Sequence, residues 1–333
     1  MARPTSAVCL GEAMVMLQPD SGEEVAGATS LRSSVGGAEA NVAGTLAALG
    51  VRTTWVSRLG ADPFGDLVHA DLTDRGVTVL AERDPRRPTG LYLKDRSRMH
   101  YHRSGSAASA MDGDLLDRPE VATALAGADL VHTSGITAGI LGDSSWLLAA
   151  LLEQRDRHGF TLSVDLNWRP TQWEDRDRRP LLDLLSAADV VLLGADEAQA
   201  ALDVSDHEGL RDLLGPRPRL VLKSDSHEAS EHDPDGSSAA VPALRVEVVE
   251  RVGAGDGFAA GYLAGLLAGV RPTARLRQGH LTAAMALAAR GDHAPPPPHE
   301  VVAELLACDE GAWAETSVCP AGVTSPATVR SAR

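Results

Sequence analysis

Glu247-Val248-Val249-Glu250-Arg251-Val252-Gly253-Ala254-Gly255-Asp256-Gly257-Phe258-Ala259-Ala260-Gly261 reads as a strand that runs into a glycine turn and leaves it as an apolar helix. The first backbone N–H groups of a helix have no partner inside it. Here those of Ala254, Gly255 and Asp256 form a positive cradle for phosphate, helped by the helix dipole. The small residues let a phosphate approach the backbone. A carboxylate in the same place repels phosphate, so Asp256 calls for a reason. General-base work supplies one: Asp256 takes the proton of an attacking hydroxyl while the adjacent N–H groups neutralise charge on the transferring group. Asp also favours helix N-caps generally, and on this residue alone the two roles stay open.

Outward from this stretch, short β-rich apolar runs alternate with helical patterns. Strands are expected over 7–17, 53–59, 129–134, 161–167, 189–193 and 219–223. Helices fall between them, such as 38–49 closed by Gly50 and 144–158 closed by Gly159, since glycine accepts the left-handed conformation that ends a helix. That alternation predicts an α/β fold of three layers, with a mostly parallel central sheet and helices on both faces. Segments 18–35 and 87–104 break the rhythm. Both read as strands without intervening helices, either a small β lid suited to excluding water or an edge extension of the main sheet. After Pro295–Pro298 a last helix is expected over 299–308. The Ala/Ser/Thr/Pro-rich remainder, 309–333, is expected to be poorly ordered. There is no internal repeat.

Composition narrows the function. The 333 residues are 44% hydrophobic and 23% charged, with a net charge of -15. Such acidity argues against nucleic acid or an anionic membrane as partner, because both select basic surfaces. Only two of the 31 basic residues, Lys94 and Lys223, are lysines, a bias that genome composition accounts for. Three widely spaced cysteines, Cys9, Cys308 and Cys319, fit a reduced, cytoplasmic chain. Residues 1–11 lack the pattern of a signal peptide, and the longest apolar stretch, 257–270, is too short to span a bilayer.

A second glycine motif, Val35-Gly36-Gly37-Ala38-Glu39-Ala40-Asn41-Val42-Ala43, opens another helix after a β segment. Gly36 and Gly37 permit close approach, and the Asn41 amide can bind hydroxyls, which suits a polyol. It could equally be an ordinary helix start with Asn41 on the solvated face. Together the two motifs carry a resemblance. The 36–41 segment resembles the first signature of the ribokinase-like (PfkB) carbohydrate kinases, and Gly253–Asp256 with Phe258 resembles the second. Ser57-Arg58-Leu59-Gly60-Ala61-Asp62-Pro63-Phe64-Gly65 matches a loop common in that family. Order and spacing agree over about residues 6 to 308, which makes 1–308 one kinase domain with lid strands within about 12–35 and 87–104.

Within the family, the branch acting on 2-keto-3-deoxygluconate is nearest, on Gly11-Glu12-Ala13-Met14, Arg87-Pro88-Thr89-Gly90-Leu91-Tyr92, Tyr101-His102-Arg103-Ser104-Gly105-Ser106-Ala107 and Asp165-Leu166-Asn167-Trp168-Arg169-Pro170. The resemblance implies that Gly36, Gly37, Asn41, Tyr92, Tyr101, Arg103 and Arg169 contact a sugar acid. Arginine forks pair with carboxylates bidentately, in keeping with that. It implies also that Asn167, Lys223, Ser224, Gly253 and Gly255 line the ATP site, with adenine near 284–291, and that the lid joins subunits in a homo-oligomer. The expected cofactors are ATP and Mg²⁺, the ion held largely by phosphates and water; no residue is singled out as its ligand. Some positions depart from the family. Ser224-Asp225-Ser226-His227-Glu228 lacks the glycines usual in the nucleotide loop, and the family's Asn-x-x-Glu reads as Asp196-Glu197-Ala198-Gln199. A neutral-sugar kinase such as a fructokinase, and a catalytically silent sugar-binding protein, are the alternatives. A dehydrogenase is more distant, because no Gly-x-Gly-x-x-Gly follows the first strand.

Overall fold

The central strands are apolar at nearly every position, as in Val190-Val191-Leu192-Leu193; a sheet covered on both faces requires this. The computed structural model describes residues 4–20, 24–96, 98–141, 146–174, 176–224, 227–289 and 296–329. Its strands are β1 (Ser6–Leu10), β2 (Met14–Pro19), β3 (Leu31–Gly36), β4 (Arg52–Gly60), β5 (Thr78–Asp84), β6 (Leu91–Lys94), β7 (Met99–His102), β8 (Leu130–Ser134), β9 (Thr161–Asp165), β10 (Val190–Gly194), β11 (Arg219–Ser224), β12 (Glu228–His232), β13 (Ser238–Pro242), β14 (Arg245–Val246), β15 (Ser317–Cys319) and β16 (Gly322–Thr324). Nine of them form one sheet in the order β13-β12-β11-β10-β9-β8-β1-β4-β5. Seven run parallel, and the β12–β13 hairpin closes one edge antiparallel.

Successive side chains of a strand point to opposite faces, and the core divides accordingly. Ala7, Cys9, Val190 and Leu192 pack on one face with the helices Ala38–Ala48, Ala254–Leu267 and Pro272–Ala288. Val8, Leu10, Val191 and Leu193 pack on the other with Trp146–His158 and Arg179–Ala187. The fold is therefore the expected three-layer α/β arrangement. Strand order reverses at β1, between β8 and β4, and the crevice outside the carboxyl ends at such a switch point is where open α/β sheets bind ligands.

The expected strand 7–17 is two strands. At Gly11 the chain leaves the main sheet and re-forms as β2 in a second sheet of order β3-β2-β6-β7. A Cβ at Gly11 would collide with the Glu39 carboxylate, so the break falls where backbone and side chain share one space. This four-stranded sheet is the lid expected from 12–35 and 87–104, separate from the main sheet. The start of the helix expected at Ser144 lies outside the described residues.

The expectation of a poorly ordered tail is corrected over 309–329, while 330–333 lie outside the described residues. Helix Glu310–Glu315 buries Trp313, whose indole N–H donates to the Pro242 carbonyl at 2.8 Å. The Arg277 guanidinium lies 5.0 Å from the same ring. β15 pairs with β14 and β16. Small and polar composition hid one large apolar anchor.

Candidate active site

The helix Ala254–Leu267 begins at Gly253, whose φ of 83° is the left-handed conformation that a side chain resists. Gly253 is the N-cap and Asp256 is the third helical residue, with no side-chain cap at this end. The capping role for Asp256 is thereby excluded. Gly257 N–H donates to the Gly253 carbonyl at 2.8 Å, so the amides of residues 254–256 precede the first helical bond. Behind this mouth, a Cβ at Gly261 would collide with the Gln278 carbonyl and the Thr282 hydroxyl. Thr282 also donates to the Gly257 carbonyl at 2.7 Å. The helix that presents the cradle is thus locked backbone-to-backbone on Pro272–Ala288.

Asp256 turns its carboxylate to Asn41, whose amide donates to it at 2.8 Å. Asn41 is buried, not on a solvated face, and its Oδ1 has no partner among the described residues. Asp256 is half-buried by area yet set deep in the cleft. Burial pushes its carboxyl up to about 7, with Asp165 and Glu39 adding to the push and the Asn41 bond and Arg169 opposing it. A base poised near neutrality is what proton abstraction at neutral pH requires. Glu39 stands behind, fully buried, accepting from Ser134 at 2.6 Å and Thr137 at 2.7 Å. Burial likewise raises its pKa.

A cavity of about 460 Å³ opens in front of Asp256. Its walls bring together Gly37, Asn41, Tyr92, Tyr101, Arg103, Asn167, Arg169, Lys223, Gly253, Gly255 and Asp256. Gly36 ends β3 and does not reach the wall. The lid supplies Tyr92 and Tyr101, their rings 5.5 Å apart, and the Arg103 guanidinium sits 5.6 Å from the Tyr101 ring. Arg103 is not free: it donates to the buried carboxylate of Glu12, which also accepts from Ser106 at 3.1 Å. Burial drives the Glu12 pKa up, and these bonds only partly offset it. Arg169 is more exposed, bonded to the Trp168 carbonyl at 2.9 Å and 3.4 Å from Glu197. Asn167 adopts φ 37°, rare outside glycine but tolerated by Asn, and presents the turn carrying Arg169.

A second cavity of about 390 Å³ meets the first at Glu197, Lys223 and Gly255. Ala254, Phe258, Ala283, Ala284 and Leu287 give it an apolar floor near the expected adenine region, with His280 beside them. Residues 290 and 291 lie outside the described residues, as do 225 and 226 of the loop after Lys223. Burial lowers the His280 pKa to about 4, and its Nε2 pairs with the Val241 carbonyl at 3.0 Å. Ser224 reaches neither cavity. At the junction Lys223 donates to Asp165 at 3.1 Å. Burial opposes its charge, but Asp165, Glu197 and Asp256 outweigh that and hold its pKa above the usual value.

The four-residue motif at 196–199 turns its side chains to different sides. Gln199 is exposed and bonded to Asp203; the acid that faces both cavities is Glu197, its pKa raised by burial. Among the described residues no cluster of three or more His, Cys, Asp or Glu could hold a metal. The acids on the cavity walls, Asp165 and Glu197 on one and Asp196 and Glu197 on the other, are compatible with an Mg²⁺ that keeps its waters and is carried in by phosphates, the usual manner for that ion. Glu12, Asp165, Glu197 and Arg251 line the cavities without having been singled out. All four lie within quoted motifs, and for Glu12 and Asp165 a carboxylate at or just past a strand end was the signal available. No helix among the described residues is long and apolar enough to cross a membrane.

Comparison with known proteins completes the site. Residues 4–299 match the model of the pfkB family carbohydrate kinases. A 2-dehydro-3-deoxygluconokinase from Thermoproteus tenax is 31% identical over 90% of this chain and 94% of its own length. A fructokinase from Klebsiella pneumoniae is 32% identical over 76% of this chain and 82% of its own. The crystal structure of a 2-dehydro-3-deoxygluconokinase from Thermotoga maritima superposes with a TM-score of 0.79 at 23% identity, covering 92% of this chain and 99% of that one.

Proposed function

The chain belongs to the pfkB family of carbohydrate kinases, and on that premise we propose that it transfers the γ-phosphoryl group of ATP to the terminal hydroxyl of a sugar acid, 2-keto-3-deoxygluconate first among the candidates. The observation that carries the reading is Asp256, held by Asn41 at 2.8 Å where the sugar-side and nucleotide-side cavities join. In this reading the hydroxyl proton moves to the Asp256 carboxylate as the oxygen attacks phosphorus. The bridging bond to ADP breaks, and the amides of residues 254–256 hold the charge of the transferring group. Lys223 faces the ATP phosphates, while Asp165, Asp196 and Glu197 would face the water shell of an Mg²⁺ carried by those phosphates. That ion, when bound, neutralises charge on phosphate oxygens. Gly253, Ala254 and Gly255 shape the cradle; Tyr92, Tyr101 and Gly37 pack on the sugar. Arg169, with Arg103, turns the substrate carboxylate toward the lid. Leu31 and Tyr101, exposed on the lid, suit its pairing with a second copy.

One observation favours a neutral sugar instead. Glu12 already neutralises Arg103, which leaves Arg169 as the principal cation for a carboxylate. ADP release measured over a panel of sugar acids and neutral ketoses separates the two. The sugar-acid reading expects kcat/KM for 2-keto-3-deoxygluconate to exceed that for fructose by at least about 100-fold, the scale of a lost charge-assisted pair. A preference for fructose overturns it.

A further inference from the structure

Lys94 is one of two lysines in the chain, and it is turned inward. It ends β6 two residues beyond Tyr92, on the same face of the lid, since side chains alternate along a strand. Tyr92 covers the sugar-side cavity. Lys94 reaches past it to the main domain and donates to Glu250 Oε2, with about four-fifths of both side chains buried (exposures 21% and 23%). The other carboxylate oxygen, Oε1, accepts from the amide of Arg251 at 2.9 Å and that of Val252 at 3.3 Å. Those two residues lead into Gly253 and the helix mouth. On the far side, the amides of Val249 and Glu250 donate to the Leu287 carbonyl at 2.8 and 3.1 Å. One carboxylate thus bonds the lid through one oxygen and shapes the turn before the phosphate cradle through the other.

We infer that Lys94 is a positioning residue, tying the seating of the lid to the shape of the amide-bearing turn, so that enclosing the sugar and assembling the cradle are one event. Its role in turnover rests on the phosphoryl-transfer reading above. The mechanical link does not, because all its partners are present without ligand. A long flexible lysine on an acidic, arginine-rich protein would ordinarily keep its ammonium in water. Here it is drawn into a contact between segments 156 residues apart in the chain.

The test uses the full chain and three variants: Lys94→Met, Lys94→Arg and Glu250→Gln. Hydrogen exchange is followed without ligand. Lys94→Met is expected to speed exchange about five-fold at residues 250–257, the consequence of losing one partly buried ion pair. Glu250→Gln should do the same in β6 and β7, and Lys94→Arg should stay within two-fold of wild type, about the scatter of such measurements. Faster exchange confined to these segments supports the link. Unchanged exchange, or an equal rise in the remote helix Arg179–Ala187, overturns it. With an accepted sugar, Lys94→Met should lower kcat at least about ten-fold, leave KM for ATP unchanged and hydrolyse more ATP per sugar phosphorylated. Wild-type kcat and coupling in that variant refute the role in turnover. If wild type phosphorylates no sugar, the kinase reading fails while the exchange comparison still decides the link.

Discussion

Asp256→Asn keeps the size of the side chain and removes its basicity. The carboxamide oxygen still accepts from Asn41, so the helix mouth should keep its shape. General bases contribute roughly 10²- to 10⁴-fold, and a loss of about 1000-fold in kcat is expected. The carboxyl sits at about 7, so wild-type kcat/KM should stand at about half its plateau at pH 7 and about one-tenth at pH 6. The variant should be flat at its residual level. Stability should move the other way. A carboxyl raised from 3.8 to about 7 holds its proton more tightly folded than unfolded. Its contribution is therefore complete below the unfolded value and is lost as pH rises through the folded one. The full shift is about 4 kcal/mol, and half-burial with solvent screening cuts this to about 2 kcal/mol. Asp256→Asn should then raise Tm at pH 8 by about 3 °C, a gain that vanishes near pH 4. A continuous ADP-release assay and a thermal scan suffice. More than about a tenth of wild-type kcat in the variant, or a flat wild-type profile between pH 6 and 8, refutes the base assignment.

Arg169→Gln should raise KM for a sugar acid about 10- to 100-fold through loss of a charge-assisted pair, and change KM for a neutral ketose by less than about three-fold; steady-state kinetics on both substrates checks this. Glu12→Gln leaves the Arg103 guanidinium buried without its counter-charge, so stability should fall by about 3 kcal/mol, read as a shift in the urea midpoint. Trp313→Ala should cost about 3–4 kcal/mol in the same assay, as large-to-small changes in a core do; a change under 1 kcal/mol would contradict packing of the C-terminal segment.

The layered fold was open to reading because strands buried on both faces, such as Val190–Gly194, leave a continuous apolar record between helix patterns. The paired glycine motifs point to Asp256 and Asn41, and the two do line one cavity. Sequence did not show that the two bind each other, since 215 residues separate them in the chain and no local spacing encodes that. From the sequence Arg103 reads as a hand for the substrate. Its guanidinium is committed to Glu12, 91 residues away, and a fork on a strand looks the same whether or not a carboxylate already fills it. Glu197 is not legible from the motif spacing, because only the start of the helix Ala195–Leu202, right after β10, decides that Glu197 faces the cavities and Gln199 the solvent. Over 309–329 the average composition suggests disorder, yet one tryptophan, Trp313, sets the outcome.

Both lysines of this chain have their ammonium groups pinned by acids, Lys94 by Glu250 and Lys223 by Asp165. Apart from the amino terminus, they are the only primary amines in 333 residues, the remaining surface cations being arginines. An acylating reagent therefore meets almost no background here. Lys94 is open to the reagent when it parts from Glu250, whereas Asp165 keeps Lys223 protonated even without nucleotide, so adducts mapped to Lys94 would count open lids directly, without a fluorophore or an engineered cysteine.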